Sequence, residues 1–198
     1  MPDWMWMLPC ITLLTASSLF SVAGCMALEV FCGCGVMSLC FEFAQVPLFR
    51  RWDSKFGERF DVITEGWKIQ RLICLHILVL IHFGKPCSSP TFARRVELRN
   101  WQWPMGVPGL TGRDRQILEQ GNELVAWTVQ TAELLLLHSW YFSIENPFPG
   151  WFWIIPMVKG LWWRSGVILT ILSQSTYDTA WGPQGGCTAS QGAPGWGS

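Results

Sequence analysis

Four short stretches carry residue types that could do chemistry together. The first is Glu29-Val-Phe-Cys-Gly-Cys-Gly-Val-Met-Ser38, where an apolar run ends in a turn on Gly33 and Gly35. Glycines let a backbone turn tightly and approach a ligand closely, although an ordinary turn uses the same pattern. The second is a pair of acids. Asp53 lies about 20 residues beyond the glycines, where an acid can accept hydrogen bonds from ribose hydroxyls. Asp61 follows after the next turn and could accept from an adenine amino group. Each also fits a solvated loop acid. The third stretch, Lys85-Pro86-Cys87-Ser88-Ser89, places a thiol after an apolar run. A strand-end thiol can be activated by nearby positive charge, and Lys85, Arg94 or Arg95 could supply it; a structural thiol is the plain alternative. Arg94, Arg95 and Arg99 could also hold phosphates, or form a solvated loop. The fourth stretch is Glu145-Asn146-Pro147, whose carboxyl could donate or accept a proton or simply form a capping turn.

The elements that must position these residues follow from hydrophobic patterning. Residues 27–32 (ALEVFC), 48–52 and 76–83 (HILVLIHF) read as strands, the last nearly continuous in apolar residues and so covered on both faces. A short strand is expected over 60–63, carrying Asp61, and another over 140–144 (WYFSI). Helices are expected over 36–44, 65–74 and 113–138, and residues 97–112, with two prolines and three glycines, over an irregular excursion. Strands alternating with helices predict an α/β fold: a mostly parallel sheet in a three-layer sandwich. Ligands in such sheets bind at the carboxyl ends of the strands. Gly33–Gly35, Asp53, Asp61, Pro86–Cys87 and Glu145–Asn146 all fall at predicted strand ends, on one edge.

The ordered series Glu-x-Phe-x-Gly-x-Gly-x-x-Ser, Asp53, Asp61-Val62, Phe-Gly-x-Pro-Cys-Ser and Ile-Glu-Asn-Pro resembles the motifs of DNA (cytosine-5) methyltransferases over roughly residues 27–150. The resemblance implies a Rossmann-like fold that uses S-adenosyl-L-methionine. Glu29, Phe31, Gly33, Gly35, Ser38, Asp53, Asp61 and Pro86 would line the cofactor site, with Asp53 on the ribose and Asp61 on the adenine. Cys87 would be the nucleophile toward carbon 6 of a flipped cytosine, and Glu145 would bind the ring nitrogen and amino group. Ser88, Arg94, Arg95 and Asn146 would contact or frame the substrate, DNA ahead of RNA. Lys85 stands where the family has the first proline of Pro-Pro-Cys, and Pro90 where a Phe is expected. No Gln-x-Arg-x-Arg element, target-recognition region or closing C-terminal segment follows Asn146. A truncated or degenerate member is therefore expected. The alternatives are a non-catalytic relative that binds partners and a membrane-anchored protein.

Composition sets the outer bounds. The 198 residues carry 14 Lys+Arg against 14 Asp+Glu, so net charge points to no partner and lacks the basic excess usual in nucleic-acid-binding domains. The eight cysteines form no Cys-x-x-Cys pair; no metal site is expected, and the thiols fit the buried, reduced cysteines of an intracellular protein of nucleus or cytoplasm. The 14 tryptophans are expected mainly in the core. Three regions are expected: an apolar extension over 1–26, a methyltransferase-like domain over 27–164, and a disordered Gly/Pro-rich tail over 165–198. The uncharged run from Trp4 to Leu28 is long enough to span a bilayer, but Pro9, the polar stretch from Thr12 to Ser18 and the adjoining strand favour packing on the domain.

Overall fold

The computed structural model describes residues 25–33, 35–84, 97–146 and 150–168. The chain divides into Met1–Val167 and Ile168–Ser198, and the architecture below is that of the first unit. The expectations for the N-terminal extension up to residue 24 and for the tail from residue 169 lie outside the described residues.

Four strands, β1 (Met26–Val30), β2 (Leu48–Trp52), β3 (Leu78–Phe83) and β4 (Tyr141–Ile144), form one all-parallel sheet in the order β2-β1-β3-β4. Parallel neighbours need crossover connections, supplied here by helices α1 (Val36–Phe43), α2 (Val62–Cys74) and α3 (Gly112–Leu137). The central strands are the most apolar: every residue of β3 and all but Met26 of β1 are buried. Side chains alternate across the pleat. Ala27 packs with Phe41, Ala44 and Val46, on the side of α1. Leu28 and Val30 pack with Ile69 and Ile73 of α2 and with Ala132 and Leu135 of α3. Helices thus cover both faces, and the expected α/β layering is present. A register shift gives the adjacent Met26 and Ala27 the partners Leu78 and Leu80, which brings both Val79 and Leu80 to the α1 side.

The expected strand over 60–63 does not form. Residues Ser54–Phe56 and Glu58–Phe60 make two 3-10 turns, and α2 begins at Val62 rather than at residue 65. Asp61 is the reason. Its carboxylate accepts from the Ile63 N–H at 2.9 Å, the arrangement that makes Asp a strong helix N-cap. The buried positions Val62, Gly66, Ile69 and Ile73 recur at helical spacing, and that longer pattern prevails over the β-branched pair Val62-Ile63. β2 consequently remains an edge strand.

Where α2 meets α3, Gly66 has no side chain because there is no room for one. A Cβ there would run into Nε1 of Trp127. The Trp127 ring meets Phe31 edge-on at 6.1 Å and Phe83 at 6.0 Å, and so lies under the carboxyl ends of β1 and β3. Residues 97–111 contain no helix or strand, as expected, but they are not a solvated basic loop. Arg99 is completely buried and donates from Nη1 to the Pro104 carbonyl at 2.8 Å, while burial pulls its pKa down to about 10. The tryptophans divide. Trp52, Trp127 and Trp151 are buried, whereas Trp67, Trp101, Trp103 and Trp163 are exposed. Helix α4 (Pro156–Trp162), which opens on a proline, packs with Val125 and Val129 of α3 through Val158. Among the described residues, no helix is long and apolar enough to cross a membrane.

Candidate functional site at the carboxyl edge of the sheet

The order in which strands are added reverses at β1: β2 lies on one side of it and β3 on the other. In open parallel sheets the crevice outside the strand ends at such a switch is where ligands bind. Backbone hydrogen bonds run past the strand ends and hold them together. Phe31 N–H donates to the Trp52 carbonyl at 2.8 Å, Gly84 N–H to Val30 at 2.8 Å, and Glu145 N–H to Phe83 at 3.0 Å. Phe31, Gly33, Gly35, Asp53, Glu145 and Asn146 are therefore gathered on one edge. Gly84 is required there, since a Cβ would lie 2.6 Å from the Phe31 carbonyl oxygen.

The turn after β1 is unusual in its backbone. Phe31, Gly33 and Gly35 all have positive φ, at 56°, 48° and 77°. Glycine adopts this readily, whereas Phe31 is strained by of order 1 kcal/mol or more. Among the described residues, a Cβ on Gly33 would meet nothing within 4 Å, whereas one on Gly35 would touch the Arg51 guanidinium at 3.0 Å. Asp53 ties β2 to this turn: one carboxylate oxygen accepts from Gly33 N–H at 3.1 Å, the other from Lys55 N–H at 3.0 Å. Cys32 also points its thiol at Asp53. Burial, above all, pushes that thiol up to about 11, with Asp53 and Glu29 adding and Lys55 and Arg51 opposing. It stays protonated at neutral pH and is a poor nucleophile.

Glu29 and Ser38 sit deeper. Both are buried, and one Glu29 carboxylate oxygen accepts from both the backbone N–H, at 2.8 Å, and the hydroxyl of Ser38. The pair fastens the start of α1 to β1 beneath the glycine turn. Asp61 stands apart, at the N-terminus of α2 rather than at a strand end. The Glu145 side chain is exposed, and Asn146 Nδ2 is buried without a hydrogen-bond partner among the described residues. Pro86, Cys87, Ser88, Arg94 and Arg95 lie outside the described residues.

His82 belongs to none of the four motifs. It lies in register between Glu29 and Ser143, is buried, and its Nδ1 is 2.8 Å from the Ser143 hydroxyl. Burial lowers its pKa to about 4, so it is neutral at physiological pH. The one signal available was a histidine inside an otherwise apolar strand. The expectation of buried thiols also needs correction: Cys25 and Cys32 are buried, but Cys74 is exposed and Cys40 half-buried. Among the described residues, no group of three His, Cys, Asp or Glu could hold a metal ion. Comparison with protein-family models, with curated proteins and with solved structures found no match.

Proposed function

We propose that this domain is a Rossmann-like, S-adenosylmethionine-binding module of the cytosine-5 methyltransferase type, acting on nucleic acid. The observation that carries the reading is the Gly33–Asp53 hydrogen bond at the carboxyl ends of β1 and β2. It puts the glycine turn and the candidate ribose acceptor in one place, beside the switch in strand order. Among the described residues, the open space over Gly33 and the Asn146 Nδ2 without a hydrogen-bond partner fit a ligand on this edge. Phe31, Gly33, Gly35 and Asp53 would hold the cofactor, Glu29 and Ser38 would set the turn from below, and Pro86 would lie alongside. Asp61, now a helix cap, would reach the adenine only from the start of α2.

The cofactor supplies a methyl group. Cys87, as thiolate, would add to carbon 6 of a flipped cytosine. Glu145 would hold the ring nitrogen and amino group so that electron density builds at carbon 5. After methylation, loss of the carbon-5 proton and of the thiolate restores the ring. Ser88, Arg94, Arg95 and Asn146 would frame the substrate.

A second reading, a non-catalytic relative, draws on one observation: Asp53 and Asp61 both already accept backbone N–H groups. Two measurements separate the readings. Titration with labelled S-adenosylmethionine should show saturable binding. DNA containing 5-fluorocytosine, in which fluorine blocks the elimination step, should then trap a covalent adduct in wild type and not in Cys87→Ser. Cofactor binding with no adduct in wild type would leave the non-catalytic reading, and no cofactor binding would remove the methyltransferase one.

A further inference from the structure

We propose that the edge of the sheet at β2, with the two 3-10 turns that follow it, binds single-stranded nucleic acid: Arg50, Lys55 and Arg59 hold phosphates, and Phe56 stacks on a base. Residues 49–60, FRRWDSKFGERF, interleave cations with aromatic rings. The rings form one cluster. Phe60 is buried and meets Trp52 edge-on at 5.5 Å and Phe56 at 6.1 Å, while Phe56 stays 46% exposed. The cations are laid over these rings. The Arg50 guanidinium is 5.2 Å from the Phe49 centroid and 5.8 Å from that of Phe60, Arg59 is 4.9 Å from Phe60, and the Lys55 ammonium is 4.8 Å from Phe56.

Two guanidinium groups therefore converge on one ring despite their mutual repulsion. Neither they nor Lys55 forms an ion pair among the described residues. Among the described residues the nearby acids form no ion pair with them. Asp53 accepts from Gly33 and Lys55 N–H groups, Glu42 faces Arg51 at 3.8 Å, and Glu58 is exposed and unpaired among the described residues. Cation–π contact fixes such groups without satisfying their charge. Held, unneutralised cations beside an exposed ring are what a single strand requires: a backbone track and a face on which a base can stack. A duplex offers phosphates but keeps its bases stacked. Zero net charge is no obstacle, since local fields follow the distribution of charge rather than its sum.

This surface shares only its partner class with the methyltransferase reading and uses none of Glu29, Asp53 or Cys87 as a contact. The test uses the full chain without cofactor and a fluorescein-labelled oligothymidylate, read by fluorescence anisotropy. Arg50→Gln with Arg59→Gln should weaken binding at least tenfold and flatten the dependence of log affinity on log salt by about 0.7 per lost phosphate contact. Phe56→Ala should weaken it about tenfold with the salt slope unchanged. Lys55→Glu, at an exposed position, gives a second charge variant should the double substitution unfold. Wild-type affinity in the charge and ring variants overturns the proposal. So does equal competition by polyglutamate, which would make this a surface for acidic proteins. Loss of oligothymidylate binding in Phe56→Ala with S-adenosylmethionine affinity intact would keep the two sites distinct.

Discussion

At the scale of single residues, the turn after β1 concentrates cost and purpose. Phe31 takes a left-handed conformation at φ 56° although it has a Cβ. Its N–H is held by Trp52, its carbonyl lies close to Gly84, where a Cβ would not fit, and its ring abuts Trp127. Strain of this kind persists only where surroundings over-determine it, and it collects at ligand sites. Asp53 is the polar counterpart. Replacing it with Ala releases Gly33 and, under the methyltransferase proposal, removes the acceptor for a cofactor ribose. On the proposed reading, S-adenosylmethionine binding measured by calorimetry should weaken by roughly 1–3 kcal/mol, with Asp53→Asn retaining part of the affinity. Equal affinity for wild type and Asp53→Ala would move the pocket elsewhere. A second expectation is Gly84→Ala. Its Cβ would fall 2.6 Å from a backbone oxygen that cannot rotate away. Overpacking of this kind costs about 1–3 kcal/mol, and a melting temperature equal to wild type would show that the strand ends separate easily.

At the scale of elements, what the sequence revealed depended on the length of the pattern. α3 runs 26 residues, from Gly112 to Leu137, and its extent was legible to within one residue. β2 and β4 were legible because turn residues bound them, and β3 because its apolar run is long enough to mark a strand buried on both faces. The segment over 60–63 forms a turn and a helix start instead of the expected strand. Two β-branched residues after an aromatic suggest a strand locally, yet the deciding features are the Asp61 cap and the apolar spacing out to Ile73. The edge bearing Asp53 and Glu145 could be read from strand ends alone. The burial of Arg99, the His82–Ser143 contact and the Glu29–Ser38 lock could not, because they depend on register and on which face a side chain takes. The α2–α3 contact belongs to this scale. Gly66→Ala gains up to about 1 kcal/mol in helix propensity but drives a methyl group into the Trp127 indole. Overpacking should outweigh the gain, for a net loss of about 1–2 kcal/mol, read as a lower melting temperature. A stabilised variant would mean that Trp127 swings away without cost.

At the scale of the whole molecule, a polar row across the sheet, buried only at Glu29 and His82, couples stability to pH. Arg51, Glu29, His82 and Ser143 share one register line across β2, β1, β3 and β4, with His82 at its centre. Burial lowers the folded-state pKa of His82 from 6.5 to about 4. Below pH 6.5 the unfolded chain takes up a proton that the folded chain refuses, so unfolding is favoured as pH falls. The stability held by neutral His82 is thus complete above pH 6.5, declines through the window from 6.5 to 4, and is lost below it. A fall from 6.5 to about 4 corresponds to about 3 kcal/mol. Carboxylates titrate in the lower part of the same window, so wild type alone cannot isolate the effect. His82→Gln can, because Gln still offers the Ser143 hydroxyl a hydrogen-bonding partner but does not ionise. Denaturant unfolding at pH 7 and pH 4 should show wild type losing about 3 kcal/mol more than His82→Gln between the two. A difference between the proteins that stays constant over that range would mean that His82 takes its proton without unfolding the sheet around it.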